Sequence, residues 1–127
     1  MRILIIDDEQ EILEYYQKLI KPTGHKLITT RNPLEALEIC RKESFDLVMT
    51  DYRMPEMNGL EFLKKVKQVN SKLRVLIFTA YKEDGMVKEA GIGSAYAFLE
   101  KPVTLAELLY VLHIIEQEIL KESLQLR

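Results

Sequence analysis

The chain has one cysteine and two histidines among its 127 residues. With Cys40 alone, an internal disulfide is excluded, and a lone thiol in a helical pattern reads as packing. Cys40, His25 and His113 lie at spacings unsuited to zinc, so each histidine reads as surface or packing. No apolar run approaches the ~18 residues of a membrane span. The run in "MRILIIDDE" is too short for a signal peptide. These absences lead to the expectation of a cytoplasmic protein that does not enter a membrane. Basic excess is also missing. The formal net charge is −2, which gives no general pull toward nucleic acid. No basic stripe or helix-turn-helix pattern occurs, so direct nucleic-acid binding is not expected. There is neither a GxxxxGK[ST] loop nor a GxGxxG after the first strand. Internal repeats, low-complexity segments and linkers are absent as well.

What is present suits one globular domain over 1–127, with 47% hydrophobic and 30% charged residues. Strand and helix patterns alternate. "RILII" reads as a buried strand, and Ile12, Leu13, Tyr16, Leu19 and Ile20 then recur at helical spacing. "KPTGH" ends that helix. "KLITT" is the second strand, and Asn32-Pro33 starts the second helix as cap and first turn. "FDLVMTD" is the third strand. Leu60, Leu63, Val66 and Val69 mark the third helix. "RVLIFTA" is the fourth strand and "KEDGMVKEA" a short, weak fourth helix. "AYAFLEKP" is the fifth strand. Thr104 and Glu107 form a capping box that opens a long last helix, from about 104 to 126. Five strands alternating with helices predict an α/β fold, a parallel sheet covered on both faces.

In such a sheet ligands bind beyond the carboxyl ends of the strands. Strand one ends on Asp7-Asp8, strand three on Asp51, strand four on Thr79-Ala80 and strand five on Lys101-Pro102. Singly, each has an ordinary reading. Asp7 or Asp8 could cap a helix, Asp51 could be a loop acid, Thr79 a strand residue and Lys101 a solvated lysine. Jointly they raise an electrostatic problem. Two carboxylates ~4 Å apart repel by about 4 kcal/mol at an effective dielectric of 20. Three gathered carboxylates require a cation or raised pKa values. Mg²⁺ suits the set, because it binds through few carboxylates plus phosphate oxygens and water. Carboxylate, Mg²⁺, hydroxyl and ammonium together suit a phosphoryl group, with an aspartate as nucleophile. An aspartyl phosphatase would want a second acid two residues after the nucleophile, where this chain has Arg53.

Asp7-Asp8, Asp51, "MPEMNG", Thr79-Ala80 and Lys101-Pro102 together resemble the receiver domain of two-component response regulators. They occur in the family's order along the whole chain. The resemblance implies a flavodoxin-like (βα)5 sandwich with strand order 2-1-3-4-5. It implies that Asp51 accepts a phosphoryl group from a sensor histidine kinase or histidine phosphotransfer protein. Asp8, Asp51 and the backbone carbonyl of Arg53 would bind Mg²⁺, with Asp7 acting largely through water. Lys101 and Thr79 would contact phosphoryl oxygens. Thr79 and Phe98 would form the switch, Tyr96 being the nearby competitor for the aromatic role. Arg53 and Tyr81 would flank the phosphoryl group and modulate its lifetime. Lys101-Pro102 would be a cis peptide. Met54-Pro55 would fix the turn behind Asp51, and Gly59 would supply a conformation that side chains resist.

The output would be a protein contact with a downstream target. Such a receiver catalyses only its own phosphorylation and dephosphorylation and is not counted as an enzyme. Two rivals are a non-phosphorylated pseudo-receiver serving as a binding module and a small phosphatase-like enzyme. The last helix carries Leu105, Leu108, Leu112, Ile115, Ile119 and Leu126 at heptad spacing, with Glu122 breaking the series; its first half would pack on the sheet, and its second half, "EQEILKESLQLR", is a candidate homodimer contact, short coiled coil or kinase-docking surface.

Overall fold

The structure is a computed structural model in which residues 1–80 and 94–125 are described. Its elements are β1 (Arg2–Ile6), α1 (Gln10–Ile20), a 3-10 turn (Lys21–Thr23), β2 (Lys26–Thr30), α2 (Pro33–Lys42), β3 (Leu47–Asp51), α3 (Gly59–Val69), β4 (Arg74–Ala80), β5 (Ala97–Lys101) and α4 (Leu105–Gln125). All strand pairings are parallel, in the order β2-β1-β3-β4-β5. This is the expected flavodoxin-like winding. The expected helix at "KEDGMVKEA" lies outside the described residues.

Successive strand side chains point to opposite faces, and the core divides accordingly. Ile3, Ile5, Met49, Leu76 and Phe78 pack with Leu13, Tyr16 and Ile20 of α1 and with Leu108, Leu112 and Ile115 of α4. Leu4, Ile6, Val48, Val75 and Ile77 pack with Ala36 and Leu37 of α2 and with Phe62, Leu63 and Val66 of α3. The sheet is thus the middle of three layers. Being buried on both faces, its inner strands read as continuous apolar runs.

The helix ends follow local chemistry. Asn32 Oδ1 accepts the Leu34 N–H at 2.8 Å, with Pro33 in the first turn. The 3-10 turn after α1 stops at Gly24, where φ is 85°. Glu107 N–H donates to Thr104 Oγ1 at 3.1 Å at the start of α4. β3 begins two residues later than its apolar pattern, because Asp46 is engaged beforehand. Its carboxylate accepts the Arg2 N–H at 2.8 Å, and its own N–H donates to Arg2 O at 2.9 Å. Among the described residues no helix is long and apolar enough to cross a membrane.

Candidate functional site

The ends of β1, β3 and β5 bring their side chains together at one edge of the sheet, and Thr79 lies on β4, the strand that pairs with both β3 and β5. Asp7, Asp8 and Asp51 each place a carboxylate oxygen within 4.8 Å of the others. Asp7 is only 2% exposed. Its Oδ1 accepts the Glu9 N–H at 2.9 Å, and its own N–H donates to Thr30 O at 3.3 Å. The helix cap is therefore Glu9, which makes no side-chain cap bond. Neither aspartate caps α1, so the bland reading of these acids does not hold. β2 brings no acid, yet Arg31 Nε donates to the Asp8 carbonyl at 3.0 Å and ties down the acidic loop. Asp51 Oδ1 takes the Tyr52 N–H at 3.0 Å and lies 2.7 Å from Lys101 Nζ. Lys101-Pro102 is a cis peptide, as expected.

The turn behind Asp51 departs from its sequence reading. Left-handed backbone falls on Glu56 (φ 72°), where Met57 N–H bonds back to Pro55 O at 2.8 Å in a tight three-residue turn. Gly59 does not adopt positive φ. Its requirement is space: a Cβ there would sit 2.9 Å from Asp51 O and 3.1 Å from Tyr52 Cα. Gly59 N–H also donates to Tyr52 O at 2.7 Å. The first turn of α3 thus lies directly on the backbone that carries Asp51. A reciprocal capping box fixes this helix start, with Glu61 N–H to Asn58 Oδ1 at 2.9 Å and Asn58 N–H to Glu61 Oε1 at 3.2 Å. The asparagine-to-glutamate spacing was the available signal.

Burial, aided by the neighbouring Asp51 and Asp8, pushes the Asp7 carboxyl up to about 6, against the pull of the Glu9 N–H and of Lys101. Burial likewise raises the Tyr16 phenol, with Asp7 and Asp51 adding to the effect. Tyr16 stacks on Phe78 with centroids 5.4 Å apart, so an aromatic wall backs the acids. From the sequence alone Tyr16 reads only as helix packing. Thr79 is fully buried, and its Oγ1 has no hydrogen-bond partner among the described residues.

The remaining candidates separate clearly. Arg53 is exposed and shares a shallow polar cleft with Asp8, Met54, Pro55 and Asn58. Lys101 borders an apolar cleft of about 520 Å³ with Ile12, Tyr15, Tyr16, Ala80, Pro102 and Val103. Phe98 is half-buried against the α2–α3 side of the core. Tyr96 is tied to α4 instead, its hydroxyl donating to Glu118 Oε2 at 2.8 Å. Tyr81 lies outside the described residues.

Residues 3–113 match the family model described as the response regulator receiver domain. The chain belongs to this family. It is 36% identical over 107 residues to sporulation initiation phosphotransferase F of Bacillus subtilis, covering 84% of this chain and 86% of that protein. It is 39% identical over 106 residues to the transcriptional regulatory protein ZraR of Klebsiella oxytoca, covering 84% of this chain but 24% of that one. The chain therefore spans about a quarter of that relative's length. A receiver domain crystal structure from Clostridium thermocellum superimposes with a TM-score of 0.85 at 30% identity, covering 98% of both chains. The response regulator TrrA of Thermotoga maritima, solved in complex with Mg²⁺-BeF, gives a TM-score of 0.81 at 26% identity, covering 90% of this chain and 97% of that one. Receiver domains are signal transducers of two-component systems, and phosphorylation and Mg²⁺ binding are general among them.

Proposed function

We propose that Asp51 is the phosphoacceptor of a receiver that takes its phosphoryl group from the phosphohistidine of a sensor kinase or phosphotransfer protein. The observation that carries this is the joint placement at Asp51. A lysine ammonium lies 2.7 Å from its carboxylate, two further carboxylates lie within reach, and near the end of the neighbouring strand is a threonine hydroxyl with no partner among the described residues. In the transfer, a carboxylate oxygen of Asp51 attacks phosphorus. The new O–P bond forms as the N–P bond breaks, and the donor imidazole leaves with the electron pair and takes a proton from solvent. Lys101 then pairs with a phosphoryl oxygen.

The residues fit Mg²⁺. The donors are all oxygens, and Asp7, Asp8 and Asp51 bring three carboxylates within 4.8 Å of one another. Asp8, Asp51 and the Arg53 carbonyl would hold the ion, with Asp7 supporting. When bound, it would neutralise charge on the phosphoryl oxygens.

Thr79 supplies the response. A buried hydroxyl without a partner costs about 1–3 kcal/mol. Donating to a phosphoryl oxygen would remove that cost, so phosphorylation favours a state in which Thr79 has moved. Phe98, half-buried on the next strand, would follow it, and the altered surface would engage a downstream protein. Arg53 and Tyr81 would screen the aspartyl phosphate from water. The test is intact mass after incubation with acetyl phosphate and Mg²⁺. One added phosphoryl group, absent from Asp51→Asn and from a metal-free control, supports the reading. If neither acetyl phosphate nor beryllofluoride leaves an adduct with Mg²⁺ present, a pure binding module becomes the better account.

A further inference from the structure

The cleft of about 520 Å³ beside the phosphoacceptor plays no part in the transfer described above. Its size is within the roughly 300–1,000 Å³ usual for small-molecule sites, which have apolar walls and few polar groups. Ile12, Pro102 and Val103 supply apolar wall, and Tyr15, 47% exposed, stands beside them. Two polar groups meet there. Lys101 borders the cleft while its Nζ lies 2.7 Å from Asp51, so a molecule in the cleft adjoins the acceptor.

Tyr16 is the second. It is only 5% exposed, its ring lies flat on Phe78 at 16° and tilts against Tyr15 at 5.7 Å. Its hydroxyl makes no hydrogen bond among the described residues, yet the oxygen is not wholly buried, and the cleft is what Tyr16 lines. Burial, with Asp7 and Asp51, holds the phenol protonated, so it remains a donor without an acceptor. Packing alone does not account for that hydroxyl, since phenylalanine would make the same stack without an unpaired donor.

From this we infer that the cleft is a subsite for the leaving group of a small-molecule phosphodonor, an acyl phosphate with an aromatic acyl group. It rests on Asp51 being the acceptor. An Asp51 carboxylate oxygen attacks phosphorus, and the new O–P bond forms as the bond from phosphorus to the acyl oxygen breaks. That oxygen keeps the electron pair, and the product is an aromatic carboxylate, with no proton transferred. The Tyr16 hydroxyl donates to the departing carboxylate, and the bond strengthens as charge grows there. The ring lies against Tyr15 and Val103, and the Lys101 ammonium suits an anionic donor. Phosphoramidate, which releases ammonia, offers neither a carboxylate for Tyr16 nor an apolar group for the cleft.

The test is the rate of phosphoryl incorporation at Asp51 in the full chain with Mg²⁺, read by intact mass, for benzoyl phosphate, acetyl phosphate and phosphoramidate. Benzoate and acetate are leaving groups of similar basicity, so without the subsite the two acyl phosphates would label at similar rates. Benzoyl phosphate should label about tenfold faster than acetyl phosphate at low concentration, because the cleft buries its ring, and should saturate where acetyl phosphate stays linear. Tyr16→Phe, which keeps the stack, should lower the ratio of benzoyl phosphate to phosphoramidate rates by about fivefold, the loss of one hydrogen bond. Tyr15→Ala, at an exposed position, should lower the same ratio by removing wall. If phosphoramidate labels Asp51 but benzoyl phosphate is no faster than acetyl phosphate, or Tyr16→Phe leaves the ratio unchanged, the inference is overturned and Asp51 stands as acceptor. If no donor labels Asp51, both fall.

Discussion

Replacing Asp7 by asparagine should make the metal-free protein more stable, and only at the pH values where the carboxylate is charged. The Asp7 carboxyl sits at about 6 in the folded chain against 3.8 for an unperturbed aspartate, chiefly because it is buried. The folded state therefore holds its proton more tightly than the unfolded one. Between those two values stability falls as pH rises, because the native chain binds more protons than the unfolded chain. The contribution is fully present below about pH 4 and gone above about pH 6. A shift of roughly two pKa units corresponds to about 3 kcal/mol, with about half of it lost by pH 5. Asparagine has a similar shape and can still accept the Glu9 N–H, but carries no charge. Urea unfolding in EDTA should then find Asp7→Asn more stable than the parent by ~2–3 kcal/mol at pH 8, with the gap closing to within about half a kcal/mol near pH 4. Adding Mg²⁺ at pH 8 should stabilise the parent more than the variant and narrow the gap. A variant that is less stable at pH 8, or a gap independent of pH, would refute the view that Asp7 is a desolvated charge awaiting a cation.

Three further outcomes follow from the same geometry. Thr79→Val removes a buried hydroxyl that has no partner among the described residues. Resting stability should hold or rise by up to about 1 kcal/mol, while beryllofluoride-induced amide shifts in NMR spectra shrink beyond the site itself. Gly59→Ala places a methyl 2.9 Å from the Asp51 carbonyl oxygen. It should cost about 1–3 kcal/mol in urea unfolding and slow acetyl phosphate labelling, since α3 must shift off the backbone of Asp51. Arg31→Ala removes the bond to the Asp8 carbonyl. It should weaken Mg²⁺ binding by about threefold to tenfold, read by titration, at a stability cost within about 1 kcal/mol because the arginine is exposed.

The strands and the chemical edge were legible because buried parallel strands are apolar runs bounded by polar ends, whereas the strand order followed from the family resemblance. "RILII", "KLITT" and "RVLIFTA" coincide with β1, β2 and β4 for that reason. Their terminal residues lie at the edge by construction. What was not legible depends on contacts between distant segments. Gly59 looks like a conformational glycine in sequence, but its constraint is the approach of α3 to β3, visible only once both are placed. The left-handed residue is Glu56, which nothing in its own chemistry announces. Arg31 reaches Asp8 across 23 residues. Phe62, fully buried in α3, was outweighed by the leucine and valine series, although it lies on the same helical face. The last helix carries two apolar rows, and only packing shows that the more regular one faces the core. The sequence did carry one unused signal, the Asn58–Glu61 capping box.

The central claim is that Asp51 itself forms the acyl phosphate. It is tested most directly by borohydride trapping. An aspartyl phosphate is reduced to homoserine, which marks the acceptor permanently, and fragmentation mass spectrometry of a digest then locates it. After brief treatment with acetyl phosphate and Mg²⁺, homoserine should appear at position 51 alone, and omitting Mg²⁺ should abolish it. Homoserine at Asp7 or Asp8, or an added phosphoryl group whose trapped site is not Asp51, would contradict the account.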